Sequence, residues 1–252
     1  MKLTKEQSKA HQNAMELVHS DKALSWEDRK FILDHYSEQQ GQLNALAGAF
    51  FTPWGLARDF AIEVGYADGG GSMIDLCAGI GALSFACEDK GLEITCVEMC
   101  EAYVTVGKRV VPSANWVLAD CFSINGKFDF AISNPPFGAI KVGAYDGPYT
   151  GGQFEYKVIA HAARLAQYGV FILPQMSAPF RYSGERTFRE EETEKARKFR
   201  EQTGIMMLPN CGIDTAIYKD QWKGVSPICE VVCCEFESAP EKQAAGTTST
   251  VW

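Results

Sequence analysis

The stretch Met73-Ile74-Asp75-Leu76-Cys77-Ala78-Gly79-Ile80-Gly81-Ala82-Leu83-Ser84-Phe85-Ala86 decides how the rest of the chain is read. A short apolar run closes on two glycines one residue apart and passes directly into a segment with helical spacing. Glycines at 79 and 81 let a ligand lie against the backbone at the carboxyl end of a parallel strand. The spacing fits G-x-G, with Ser84 where a dinucleotide fingerprint has glycine or alanine; a tight turn without a ligand is the alternative.

Working outward, the same alternation continues. Residues 93–98 (EITCVE), 116–120 (WVLAD), 128–134 (FDFAISN) and 169–174 (GVFILP) read as buried strands, and 82–90, 99–109 and 153–167 as helices. Strands alternating with helices predict a doubly wound, mostly parallel sheet covered on both faces. After Pro174 comes a polar stretch and then a charged helix over 188–202. The runs 204–209 and 226–236 are expected to form a terminal antiparallel pair.

Upstream, residues 1–47 read as a polar helical extension. It comprises a helix over Thr4–His19 and a second after Ser25-Trp26-Glu27-Asp28, which has capping-box spacing. Thr52-Pro53 opens a further helix with Leu56, Phe60 and Val64 on one face. Residues 48–236 are the expected catalytic domain. Residues 237–252, rich in Ala, Ser, Thr and Gly, are expected to be disordered.

Composition narrows the function classes. The 252 residues carry 24 basic and 32 acidic side chains, a formal net charge of -8. Such a chain can bind a polyanion only through a local patch, which argues against a nucleic-acid coat but not against an enzyme that touches its substrate briefly. No apolar run approaches the ~18 residues of a membrane helix, and the N-terminus lacks the apolar core of a signal peptide. The nine cysteines are odd in number and form no C-x-x-C pair. A reduced cytoplasmic protein without a metal is expected, with Cys96, Cys100, Cys229, Cys233 and Cys234 as strand and core residues.

Three strand ends carry further chemistry. Glu98, 17 residues after Gly81, can accept hydrogen bonds from both hydroxyls of a ribose; a solvated strand-end glutamate is the alternative. Asp120 can accept from an adenine amino group while the Cys121 N–H meets a ring nitrogen, or it can cap a helix or an Asx-turn. Asn134-Pro135-Pro136-Phe137 follows a buried strand directly. Two prolines fix an extended backbone and remove two N–H donors, so carbonyls face the site beside an amide and an aromatic ring. That set suits a planar amine held by acceptors and stacked on Phe137; a purely structural turn is the lesser alternative.

In these residues the sequence resembles the class I S-adenosylmethionine-dependent methyltransferases that modify the 6-amino group of adenine. The resemblance spans roughly residues 50–236, and the longer run from NPPFG through YGVFILPQMSAPFRYSG is similar to phage and prophage DNA methylases. It implies a seven-stranded Rossmann-like sheet with S-adenosylmethionine as cofactor. Thr52 and Pro53 are implied at its methionine end, Asp75, Cys77, Gly79 and Gly81 in the first motif, Glu98 with Met99 at the ribose, and Asp120 with Cys121 at the adenine. Asn134, Pro135, Pro136 and Phe137 are implied as the catalytic motif. The chain departs from many relatives in having Cys77-Ala78 at the start of the glycine loop, and an extra C-terminal domain of the kind larger relatives use to read DNA is not expected.

Substrate contacts are expected from the glycine-rich segment 138–152, through Tyr145 or Tyr149, with an idle surface loop as the equal alternative, and from Phe180, Arg181 and Tyr182. The charged stretch behind them reads as a solvated helix with i,i+4 ion pairs. DNA is the expected partner ahead of RNA, with a short recognition site or almost none. The rival readings are methylation of ribosomal RNA adenine, methylation of a protein glutamine (whose enzymes usually have tyrosine at the position of Phe137), and an inactive methyltransferase-like binding module. A nicotinamide oxidoreductase would share the glycine loop and Glu98 but has no use for the NPPF motif.

Overall fold

The computed structural model describes residues 3–37, 50–65, 70–141, 143, 145–223 and 226–236. The expected tail at 237–252, and the last part of the N-terminal extension, lie outside these residues. Helices α1 (Lys5–His19) and α2 (Trp26–His35) open the chain, each on a reciprocal capping box. In the second, Asp28 N–H donates to Ser25 Oγ while Ser25 N–H donates to Asp28 Oδ2, satisfying two of the donors a helix start leaves bare. Helix α3 (Trp54–Phe60) starts on Pro53.

The sheet then forms from β1 (Gly71–Leu76), α4 (Ala82–Ala86), β2 (Leu92–Glu98), α5 (Glu101–Val110), β3 (Asn115–Leu118) and β4 (Phe128–Ser133). It continues through α6 (Phe154–Leu165), β5 (Ala166–Pro174), a small hairpin of β6 (Phe180–Arg181) and β7 (Arg189–Glu190), α7 (Glu194–Thr203), β8 (Leu208–Pro209) and β9 (Cys229–Glu235). The seven-stranded sheet has the order β3-β2-β1-β4-β5-β9-β8, with β9 antiparallel to both β5 and β8 and the other pairs parallel. The expected terminal antiparallel pair is therefore present, with β9 inserted between its partners.

The strand period of two divides the core. Met73 faces one layer, packed with Ile32 of α2, Leu56 and Phe60 of α3 and Val110 of α5. Ile74 and Leu76 face the other, with Tyr156 and Ile159 of α6 and Phe199 of α7. These side chains are fully or almost fully buried, each stabilising the fold by roughly 1.5–3 kcal/mol relative to exposure. The N-terminal helices are also pinned by polar contacts. Arg109 on α5 donates to the Ser20 and Lys22 carbonyls at the end of α1, and Arg29 on α2 makes a forked contact with Glu88.

Several boundaries differ from the sequence reading; β5, for one, starts at Ala166 rather than 169. The helix expected over 82–90 is α-helical only to Ala86 and continues as a 3-10 turn to Lys90, closed by Gly91 at φ 71°. The strand expected to reach Asp120 stops at Leu118, because Asp120 caps the 3-10 turn Cys121–Ser123. The charged helix begins at Glu194 rather than 188: Arg189–Glu190 pairs with Phe180–Arg181, and Thr193 caps the helix by accepting from Ala196 N–H. Among the described residues no helix is long and apolar enough to cross a membrane, and no group of three or more His, Cys, Asp or Glu is placed to hold a metal.

Candidate active site

The order of strands converts the linear motifs into a row. Moving across the carboxyl edge, β3 leads into Asp120 and Cys121, β2 ends on Glu98, β1 leads into the 77–81 loop, and β4 leads into Asn134. These are four neighbouring strands, so at ~4.8 Å per strand the row is about 15 Å long. The chain reverses its direction of winding between β1 and β4, the position where doubly wound sheets open a crevice for ligands.

The β1 loop is built by its backbone. Cys77 and Gly79 take left-handed conformations, φ 65° and 56°, and Gly81 has φ 89°. Such values are uncommon for a residue with a Cβ, so Cys77 is a locally strained position. The two glycines serve different neighbours. A Cβ at Gly79 would meet the Phe51 ring in the cleft at 3.5 Å, whereas one at Gly81 would press on Val111 at 3.0 Å and Trp116 at 3.1 Å in the core. The second glycine is thus a packing requirement, and only the first opens the cleft.

Glu98, 8% exposed, spans this loop: Oε2 accepts from Gly79 N–H and Oε1 from Cys100 N–H, both at 2.9 Å. Burial pushes its carboxyl upward, opposed by these N–H groups. The Cys77 thiol lies against that of Cys121, and this contact, followed by desolvation, moves it well above the ordinary thiol range. Asp120 Oδ1 accepts from Phe122 N–H at 3.0 Å, the capping geometry that the sequence left open beside its ligand role. Met99, next to Glu98, is 76% exposed.

At the other end of the row two polar side chains each leave one oxygen without a partner. Asp75 is 1% exposed; Oδ2 accepts from Ser84 Oγ at 2.7 Å, and Oδ1 is buried without a partner. Ser84, which departs from the dinucleotide fingerprint, is therefore the group that orients Asp75. Burial, with the Glu98 charge adding to it, raises the Asp75 carboxyl to about 7. Asn134 Nδ2 donates to Phe50 O at 3.0 Å and to Thr52 Oγ1 at 2.9 Å. A carbonyl oxygen only accepts, so the amide nitrogen must face Phe50, which turns Oδ1 the opposite way. That Oδ1 is buried and has no partner. Asp75 and Asn134 line one cleft with Phe50, Phe51, Thr52 and Gly79.

Phe137 is half-buried and meets Phe50 edge-on, ring centres 6.2 Å apart. Pro135 is buried and Pro136 half-buried. The expected substrate contacts divide. Tyr149 and Phe180 are each 2% exposed: Tyr149 packs between Tyr156 and Phe199, and Phe180 belongs to the same core and meets the Phe188 ring. Both are corrected to core residues in this conformation. Tyr145 is half-buried, with Lys157 over its ring. Arg181 pairs with Glu191 at 2.9 Å, and Tyr182 OH donates to Gly212 O at 3.3 Å. Phe50, Ser84 and Glu155 were missed; their roles depend on partners distant in the fold, with no local motif to announce them.

The chain matches no protein-family model and no curated protein. Solved structures do. A class I S-adenosylmethionine-dependent methyltransferase described from Listeria monocytogenes superimposes with TM-score 0.58 at 12% identity, covering 94% of this chain and 83% of that one. A protein of Pyrococcus horikoshii described as an RNA methyltransferase gives 0.52 at 16% identity, covering 91% and 98%. The methyltransferase subunit of a type I restriction-modification system from Streptococcus thermophilus gives 0.52 at 16% identity over 83% of this chain; the match spans half of that subunit. These likenesses establish the fold: a Rossmann-like sheet of the class I methyltransferase type.

Proposed function

We propose that this chain transfers a methyl group from S-adenosylmethionine to the 6-amino group of adenine in DNA. The observation that carries the reading is Asn134, whose amide nitrogen is held by Phe50 O and Thr52 Oγ1 while Oδ1 stays buried without a donor. Leaving an acceptor unmet costs roughly 1–3 kcal/mol, so the position suits a ligand that supplies an N–H. The NPPF motif adds a backbone without N–H groups at Pro135 and Pro136 and a ring at Phe137.

The cleft also suits the cofactor. Asp75 Oδ1, buried and unmet, matches an ammonium such as the methionine end carries. Glu98 uses one lone pair of each oxygen on the loop, which leaves a second on each for ribose hydroxyls. Asp120 and the Cys121 N–H stand next in the row for the adenine ring, with Met99 beside them and Thr52-Pro53 closing the methionine end. S-adenosylmethionine supplies a methyl on a sulfonium, a leaving group that needs no acid.

The chain's own residues act on the amine, a weak nucleophile because its lone pair is delocalised into the ring. Asn134 Oδ1 and the Pro135 carbonyl accept its two hydrogens and shift the nitrogen towards a tetrahedral form. With the cofactor bound, the sulfonium would supply the methyl group and keep the S–C electron pair, and the amine held by Asn134 and Pro135 would release one proton to water. Phe137 stacks on the extruded base. Most of the rate gain is positional.

With a net charge of -8, and with Phe180 in the core and Arg181 ion-paired, little surface is left to read bases. A short recognition site or almost none follows. Incubation with methyl-labelled cofactor and unmethylated DNA, RNA or protein tests the reading. Label in DNA as 6-methyladenine is the expected result; label only in RNA, only in protein glutamine, or nowhere overturns it.

A further inference from the structure

Two prolines make the catalytic segment stiff but deprive it of backbone donors, so something else must fix it in the fold. Gly138, directly after Phe137, turns at φ 91°. Its carbonyl accepts from Phe154 N–H at 2.8 Å, and its own N–H donates to Glu155 Oε2 at 2.9 Å. Glu155 lies in the first turn of α6 and is 1% exposed. Its other oxygen, Oε1, accepts from Ser177 Oγ at 2.9 Å. Ser177 sits in the 3-10 turn Gln175–Ser177 that leads from β5 to Phe180, Arg181 and Tyr182. A single buried carboxylate therefore bridges the segment carrying Phe137 and the segment carrying Arg181 and Tyr182, the expected contacts there that stay outside the core.

We infer that Glu155 is a positioning residue, holding the NPPF loop through the Gly138 amide and setting its register against the 175–182 segment through Ser177. The inference rests on the methyltransferase reading above for its kinetic consequences, though not for its structural one. Carboxylates accept with both oxygens and donate with neither, so the residue suits two donors converging from separate segments. Placing it in the first turn of α6 also sets its charge against bare helix N–H groups. Burial raises its carboxyl, and the Gly138 N–H heads the contacts that oppose the shift.

The test uses the full chain, plasmid DNA free of 6-methyladenine and methyl-labelled S-adenosylmethionine. Glu155→Ala is expected to lower kcat about 10- to 100-fold, the loss of a charge-assisted hydrogen bond, with cofactor Kd within about twofold. Glu155→Gln keeps an acceptor for Gly138 and a donor for Ser177 Oγ, and is expected to recover most of that loss. Ser177→Ala keeps the Gly138 contact, so it should raise KM for DNA roughly 3- to 10-fold at nearly unchanged kcat. Hydrogen exchange at the Gly138 amide gives a readout that needs no substrate: faster in Glu155→Ala, as in wild type in Glu155→Gln.

Unchanged Gly138 exchange in Glu155→Ala overturns the inference, as does a Glu155→Gln variant as impaired as the alanine. If Glu155→Ala does not fold, Ser177→Ala decides: a rise in KM supports the bridge, and no change rejects it. Wild-type protein that leaves DNA unlabelled overturns the adenine reading alone, and Gly138 exchange still judges the positioning.

Discussion

The two ends of the row differ in how their polar groups are satisfied. At the β2 side, Glu98 has both oxygens engaged by loop N–H groups, and Asp120 caps its own turn. At the β1 and β4 side, Asp75 Oδ1 and Asn134 Oδ1 are buried and unmet. Of six buried side-chain polar atoms without partners among the described residues, these are the two acceptor oxygens, and they share one cleft. Satisfied carboxylates shape a site before anything binds, whereas unmet acceptors mark where a ligand must bring its own donors. One end is satisfied before anything binds, and the other leaves two oxygens open to a donor.

The sharpest way to break this contrast is Asn134→Ala. If Oδ1 exists for the incoming amine, turnover should fall about 10²–10³-fold, comparable to losing one donor of an oxyanion site, with cofactor affinity nearly intact. Steady-state kinetics with calorimetric titration of the cofactor checks it. Wild-type turnover in this variant would show that the unmet acceptor is incidental.

Asp75→Asn addresses the other unmet oxygen and is expected to weaken the cofactor about 10- to 100-fold by removing a charged acceptor. Its pH behaviour sharpens the point. The folded carboxyl titrates at about 7 against an ordinary 3.8, so between those values the folded protein holds a proton that the unfolded chain has released. This group's contribution to stability is full below about pH 4 and is lost as pH rises through 7. Thermal melting of the cofactor-free protein should therefore decline less from pH 5 to 8 in Asp75→Asn than in wild type. Wild-type affinity for the cofactor should rise over the same interval, as the carboxylate an ammonium needs becomes available.

Glu98→Ala probes the satisfied end. Two N–H groups lose a charged acceptor, so the cofactor-free protein should lose about 1.5–3 kcal/mol in urea unfolding. Both variants lose hydrogen bonds in the absence of ligand, so what separates them is turnover, which should fall far more in Asn134→Ala. Asp120→Ala is the mildest, about 1 kcal/mol from the lost cap with a few-fold weaker cofactor. A Glu98→Ala variant as stable as wild type would erase the contrast between the two ends.

The motifs show why part of this site was legible and part was not. The strand-turn-helix at 73–86, the acids at 98 and 120 and the NPPF motif are local patterns, and a doubly wound sheet lines such patterns up in a predictable order. Asn134's orientation depends on Phe50 and Thr52, more than 80 residues away, and the clamp on Gly138 on a glutamate 17 residues on. Neither leaves a period or a spacing in the chain. Tyr149 and Phe180 were misread for the opposite reason. Aromatic residues among glycines or arginines look like surface contacts, but α7 covers the first and the β6–β7 hairpin turns the second inward.

The placement of β9 has a consequence for how the molecule is made. Cys229–Glu235 lies between β5 and β8 and pairs along β5 from Tyr168 to Pro174, yet among the described residues it follows every other strand in the chain. Until it arrives, the nascent chain presents the apolar run Val170–Leu173 on a bare edge, the kind of surface that templates pairing between chains. The parallel half of the sheet, from β3 to β5, can assemble on the ribosome as it emerges; the antiparallel half closes afterwards, like a clasp.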